Sequence, residues 1–128
     1  MTKTAKKIQM VDLKSQYEKI KPEVDAAIQN VLNNSCFILG EPVELFEKSF
    51  AQACGVDFGV GTSSGTTALY LALVALGIGA GDEVITPANT FIASSEAISQ
   101  TGARVVFADI DERTYNIDCK SFQEKITP

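Results

Sequence analysis

The spacing of apolar residues changes midway along the chain. From Asp12 to Asn34 it is helical, with Val24, Ala27, Ile28, Val31 and Leu32 at i, i+3, i+4, i+7 and i+8 on one face. Pro22 suits the first turn of the main part of this helix, where a missing N–H has no cost. Asn33-Asn34-Ser35 ends it, and Phe37-Ile38-Leu39-Gly40 is a short apolar hinge. A second helix is predicted from near Pro42, with Val43, Phe46 and Phe50 as its buried stripe and Gly55 closing it.

After Gly55 the runs shorten. Phe58-Gly59-Val60 predicts a strand, and Thr66 to Leu76 a helix apolar on nearly every face and therefore buried. Glu83 to Thr86 predicts a second strand stopped by Pro87. Thr90 to Thr101 suits a helix whose apolar members are Ile92, Ala93, Ala97 and Ile98, with Gly102 ending it. Arg104 to Ala108 is a third strand, followed by a loop from Asp109 to Asn116. The last helix is capped by Asp118 and pairs Phe122 with Ile126.

Strand–helix alternation of this kind predicts an α/β layer of parallel strands behind a helical N-terminal arm. The arm and second helix occupy residues 1–55, and the α/β part, a βαβαβ run, occupies 56–128. The next element due after the last helix is a strand. The sheet is therefore expected to be incomplete, and the sequence to be cut short.

Composition narrows the function more than the fold. At 128 residues, 45% hydrophobic and 21% charged, the chain is ordinary globular material with enough length for one real core. A net charge of −5 without basic runs argues against a nucleic-acid or anionic-membrane surface. The uncharged stretch Ala68 to Gly81 is too short to span a bilayer. The start is basic (Lys3, Lys6, Lys7) but has no apolar block behind it, so the expected address is cytoplasmic. The 3 cysteines are widely spaced and read as free thiols. The absence of histidine removes His-based acid–base chemistry, Ser-His triads and most transition-metal sites, and no metal site is expected.

The candidate chemistry begins at Val60-Gly-Thr-Ser-Ser-Gly-Thr-Thr-Ala68. Small hydroxyls and glycines between a strand and a helix point several N–H groups at one spot, at the positive end of a helix dipole. That is a seat for a phosphate; lacking a lysine, it would anchor the group and not transfer it. The alternative is that the same residues form only a turn and an N-cap. Ligands of open α/β sheets gather beyond the carboxyl ends of the strands. There Phe91, in Pro87-Ala-Asn-Thr-Phe91, could stack on a flat ligand or pack under the helix that follows. Asp109 and Asp111 offer carboxylates, or are solvated loop acids. Two familiar phosphate motifs fail: Gly65 is followed by Thr66 where a P-loop needs lysine, and Gly59 and Gly61 are followed by Ser64 where the dinucleotide fingerprint needs its third glycine. Spacing alone leaves open a non-catalytic α/β module for a phosphorylated ligand or a dinucleotide.

Several motifs in order resemble the DegT/StrS-type sugar aminotransferases, fold-type-I enzymes that use pyridoxal phosphate (PLP). They are Val11-Asp-Leu-Lys-Ser-Gln-Tyr17, Phe37-Ile-Leu-Gly-Glu-Pro42, Ser63-Ser-Gly-Thr-Thr-Ala68, Gly81-Asp-Glu-Val-Ile-Thr-Pro-Ala-Asn-Thr-Phe91 and Gly102-Ala-Arg-Val-Val-Phe-Ala-Asp109, continuing to Asp118. The likeness runs from about Met10 to the last residue. It implies transfer of an amino group, with glutamate as the expected donor, to a keto-sugar carried on a nucleotide, by a homodimer that the N-terminal arm helps build. It also implies that Ser64, Gly65 and Thr66 hold the PLP phosphate and that Phe91 stacks on its ring. Thr67 departs from the acidic residue often found at its position, and Phe91 stands where other members may carry tryptophan or tyrosine. The lysine that holds the cofactor covalently, and the aspartate that pairs with its ring nitrogen, are implied to lie further along. Lys120 and Lys125 match neither, so no catalytic residue is expected within this chain, which should be inactive alone and bind PLP weakly. The family's sheet sets its first strand apart from the second and third, so the strands here either pair differently or leave a gap.

Overall fold

The computed structural model describes residues 10–127. The basic start of the chain and Pro128 lie outside them. The backbone separates into two compact units, divided between Val60 and Gly61.

The first unit is two helices. α1 (Leu13–Asn34) begins where predicted: Asp12 is its N-cap, accepting from the Ser15 N–H at 3.0 Å and the Ser15 hydroxyl at 2.6 Å. Those bonds, the hydroxyl's first, hold the Asp12 carboxyl below its usual range. Pro22 is not in a first turn. It lies inside one continuous helix, where it withholds an N–H from the turn before it. Side chains brace the gap: Tyr17 donates to Asp25, and Lys21 donates to both Tyr17 and Asp25. The helix ends in a left-handed Ser35.

α2 (Glu41–Cys54) starts at Gly40 with Pro42 in its first turn and ends at a left-handed Gly55. The expected stripe does form on one face, with the Phe46 and Phe50 rings 5.7 Å apart. It is not buried, however, because no element of this unit covers it, and Ala51 is the unit's buried hydrophobic among the described residues.

The predicted strand at Phe58–Val60 does not form; the segment is irregular. A strand exists only through a ladder partner, and among the described residues the strands Glu83–Pro87 and Arg104–Ala108 pair solely with each other. The gap foreseen from the resemblance is what the chain shows. The segment lies on α2 instead, with Gly59 against the Glu47 carbonyl.

The second unit holds α3 (Gly65–Ala75), β1 (Glu83–Pro87), α4 (Ala93–Thr101), β2 (Arg104–Ala108) and α5 (Cys119–Glu124). β1 and β2 are parallel, with Glu83 opposite Arg104 and Pro87 opposite Ala108. Parallel neighbours need a crossover, and α4 supplies it. Pro87 is included as the last residue of β1, a terminal position where it withholds nothing the ladder requires. α4 starts three residues later than the Thr90 predicted, after a turn in which Thr90 N–H donates to the Ala88 carbonyl.

The core of this unit is small: Ala93, Ala97, Ile98, Ala103, Ala108 and Thr86. α3 was expected to be buried and is not. It packs on α4 along one side, while Leu69, Leu71 and Val74 stay nearly half exposed. Its all-round apolar surface calls for more neighbours than one helix and a two-stranded sheet provide. Asp118 caps α5 as predicted, accepting from the Ser121 N–H at 2.8 Å.

Candidate cofactor-binding site

α3 opens at Ser64, whose backbone is extended (φ −166°, ψ 165°). Its hydroxyl accepts from the Thr67 N–H at 3.1 Å, and its carbonyl accepts from the Ala68 N–H at 2.9 Å. The amides of Gly65 and Thr66 come before that first intrahelical bond, and within the described residues no hydrogen bond takes them up. The turn is held from behind as well, with the Thr62 hydroxyl donating to the Ser64 carbonyl at 3.1 Å. The turn-and-cap reading of this tract is therefore realised. Ser64 is an N-cap, and the two amides after it are free for an anion.

The turn after β1 brings the aromatic. Its first residue, Ala88, donates to the Ala108 carbonyl at 3.4 Å, which ties the turn to the end of β2. Phe91 follows, with its carbonyl accepting from the Ser94 N–H at 3.1 Å and its ring largely in solvent at 77% exposure. A ring that had packed under α4 would not be so exposed.

One recess of about 610 Å³ is lined by Gly65, Thr66, Phe91 and Ser94, with Ala68, Leu69 and Ala93 forming its apolar wall. Three of the four sequence-predicted residues thus meet at one cavity; Ser64, the cap of α3, does not line it. No charged side chain lines the recess. Any anion there would be held by amides, hydroxyls and the dipole of α3. A Cβ on Gly65 would meet no atom within 4 Å, so the backbone can be approached closely at that point. Unpaired N–H groups and a flat exposed ring on one open recess would fit a phosphorylated aromatic ligand.

Ser94 was not foreseen as a lining residue. It lies three residues after Phe91, so helical spacing could have placed it near the ring, but only the fold turns it toward the recess. Its hydroxyl is 3.0 Å from that of Thr90. The acids after β2 take the bland role. Asp109 accepts from the Ile110 N–H at 2.8 Å, and Asp111 accepts from the Thr114 and Arg113 N–H groups at 2.8 and 3.1 Å. The Thr114 bond, foremost, holds the Asp111 carboxyl below its usual range. Neither acid lines the recess, nor does Lys120 on α5 or Lys125 just after it. Among the described residues no group of His, Cys, Asp and Glu is arranged to hold a metal.

Known proteins share the sequence and backbone of this chain. The family model described as the DegT/DnrJ/EryC1/StrS aminotransferase family matches residues 18–128. A UDP-2-acetamido-2-deoxy-3-oxo-D-glucuronate aminotransferase of Pseudomonas aeruginosa is 43% identical over 94% of this chain and 34% of its own length. The crystal structure of Streptomyces venezuelae DesV, in complex with a ketimine intermediate, superposes with a TM-score of 0.91 at 45% identity over 94% of this chain and 33% of that one. The E. coli GDP-4-keto-6-deoxy-D-mannose-3-dehydratase, with bound hydrated PLP, superposes with a TM-score of 0.74 at 40% identity, covering 80% of this chain and 28% of that one. The chain spans about a third of the length of the relatives it matches. The incomplete parallel sheet, with its helical lead-in, corresponds to the N-terminal part of these fold-type-I structures. With most of its length inside the family model and a backbone that follows DesV, the chain belongs to the DegT/DnrJ/EryC1/StrS aminotransferase family.

Proposed function

We propose that this chain supplies the cofactor-phosphate seat and ring-stacking face of a PLP-dependent aminotransferase that acts on nucleotide-linked keto-sugars in amino-sugar biosynthesis. The observation that carries the reading is that Gly65, Thr66 and Phe91 line one recess. In this reading residues 1–55 are an arm that contributes to a homodimer, and 56–128 are part of the PLP-binding large domain. Glutamate is the proposed donor and the cytoplasm the proposed location; among the described residues no helix is long and apolar enough to cross a membrane.

PLP, when bound, supplies an electron sink for the carbon that gains or loses the amino group. The chain's own residues bind and orient it. The Gly65 and Thr66 amides would donate to phosphate oxygens, with the dipole of α3 adding to the hold. Phe91 would stack on the ring, and Ala68, Leu69 and Ala93 would give it apolar contact. Among the described residues no amine lines this recess; in this reading the group that would move protons on the substrate lies outside this part of the protein.

Amide NMR of the chain titrated with pyridoxamine 5'-phosphate and, separately, with pyridoxamine tests the seat. The phosphorylated form should shift the Gly65 and Thr66 resonances far more than the other; equal responses would overturn the assignment. With PLP, keto-sugar nucleotide and glutamate, no amino-sugar should appear. Turnover accompanied by borohydride trapping at a single lysine would refute the proposed division of labour.

A further inference from the structure

The proline inside α1 has two costs, and both fall at one joint. Pro22 has no N–H, so the Glu18 carbonyl, one turn back, loses the donor an α-helix would give it. The proline ring also disfavours helical backbone at the residue before it, Lys21. Packing offsets neither cost. α1 has no buried residue, and residues 11–20 are exposed throughout. The Asp12 cap secures the first turn but does not reach the joint.

Side chains do cross it. Tyr17, Lys21 and Asp25 are spaced four apart, so they share one face of the helix from the turn before the proline to the turn after it. The Lys21 ammonium donates to the Tyr17 hydroxyl at 3.0 Å and to Asp25 Oδ2 at 2.5 Å. The Tyr17 hydroxyl donates to Asp25 Oδ1 at 2.5 Å. Each member thus bonds to both others, and both carboxylate oxygens are used. The ammonium also stands 4.9 Å from the centre of the Tyr17 ring. Lys21, the residue the proline pushes out of helical backbone, is the one held from both sides.

We infer that α1 is a jointed helix, and that the Tyr17–Lys21–Asp25 clamp decides whether residues 13–21 are helical. With the clamp closed, α1 is one rod of 22 residues. With it open, the helix begins at Pro22, where a fixed φ and a missing N–H suit a first turn, and residues 13–21 are released. The Lys21 and Asp25 side chains are each nearly half exposed, so a charged partner can compete for either one and open the joint. The inference is independent of the proposed function.

The test reads backbone chemical shifts along α1 in the unaltered chain and in Tyr17→Phe, Asp25→Asn, Pro22→Ala and the double variant Asp25→Asn with Pro22→Ala. In Asp25→Asn the helix-to-coil ratio of residues 14–20 should fall roughly twofold to fivefold, the range for an exposed ion pair. Tyr17→Phe should lower it less, since the Lys21–Asp25 bond survives. Residues 26–33 should keep their shifts in both, because the break is at the proline. The double variant should return residues 14–20 to helix, since alanine restores the N–H and lifts the restriction on Lys21. If residues 14–20 are as helical in Asp25→Asn and Tyr17→Phe as in the unaltered chain, the clamp does not hold the joint. If helix is lost evenly from 14 to 33, or is not regained in the double variant, there is no joint at Pro22.

Discussion

A Cβ placed on Gly59 would stand 2.7 Å from the Glu47 carbonyl oxygen on α2 and 3.6 Å from the Ala51 Cβ. The obstructing atom is backbone in mid-helix and cannot turn aside. Gly59→Ala should therefore destabilise the first unit by about 1–3 kcal/mol, the usual cost of forcing a methyl into packed structure. A lower urea midpoint for the helical signal would show it. An unchanged midpoint would mean that this segment is not seated on α2.

Gly65→Ala should behave in the opposite way. The new methyl meets no atom within 4 Å, so stability should stay within about 0.5 kcal/mol. The methyl does stand at the lining of the recess, where it obstructs close approach to the amide. Binding of pyridoxamine 5'-phosphate should weaken while the melting curve is unmoved.

Phe91→Ala separates stacking from folding. The ring is mostly in solvent, so its removal should change stability by no more than about 0.5 kcal/mol. An aromatic stacking contact contributes about 0.5–1.5 kcal/mol, so affinity for the pyridine-bearing ligand should fall roughly twofold to tenfold, and affinity for inorganic phosphate not at all. Equal losses for both ligands would show that the ring supports the phosphate turn instead.

The turn at Asp111 should loosen in acid. Its carboxyl is held below its ordinary value by N–H groups that favour the charged form, the Thr114 bond first. A depressed carboxyl supports the fold fully above its unfolded value and loses that support as pH falls through the lower folded value. Exchange of the Thr114 amide, corrected for its intrinsic pH dependence, should be slow at neutral pH and accelerate in that acid range. Asp111→Ala should abolish the protection at pH 6; protection that persists would place the stabilising bond elsewhere.

Features fixed by neighbours in sequence were legible without a structure. Asp12, Asp118, Gly55 and Gly102 end or begin helices as expected, because a cap needs only the residues within a turn of it. The β1 and β2 runs were legible because each is short, apolar and bounded. Phe58–Val60 has the same local pattern but no ladder partner, and pairing is not a local property. Burial of α3 failed for the same reason: nine apolar residues in a row state what the helix would cover, not what is there to cover it. At the recess, Gly65 and Thr66 were singled out by the run of small hydroxyls and glycines before a helix, and Phe91 by its turn after β1 together with the family resemblance. Ser94 was not, since its approach to the recess depends on how α4 sits against α3.

The buried side chains of the described residues are five alanines, a threonine and one isoleucine. Less hydrocarbon leaves water when the described residues order than in an ordinary domain, so the heat-capacity rise on melting should stay below the roughly 12–15 cal/mol/K per residue of such domains. The chain's stability curve should be correspondingly flat, with a broad transition in the calorimeter and little tendency to unfold in the cold.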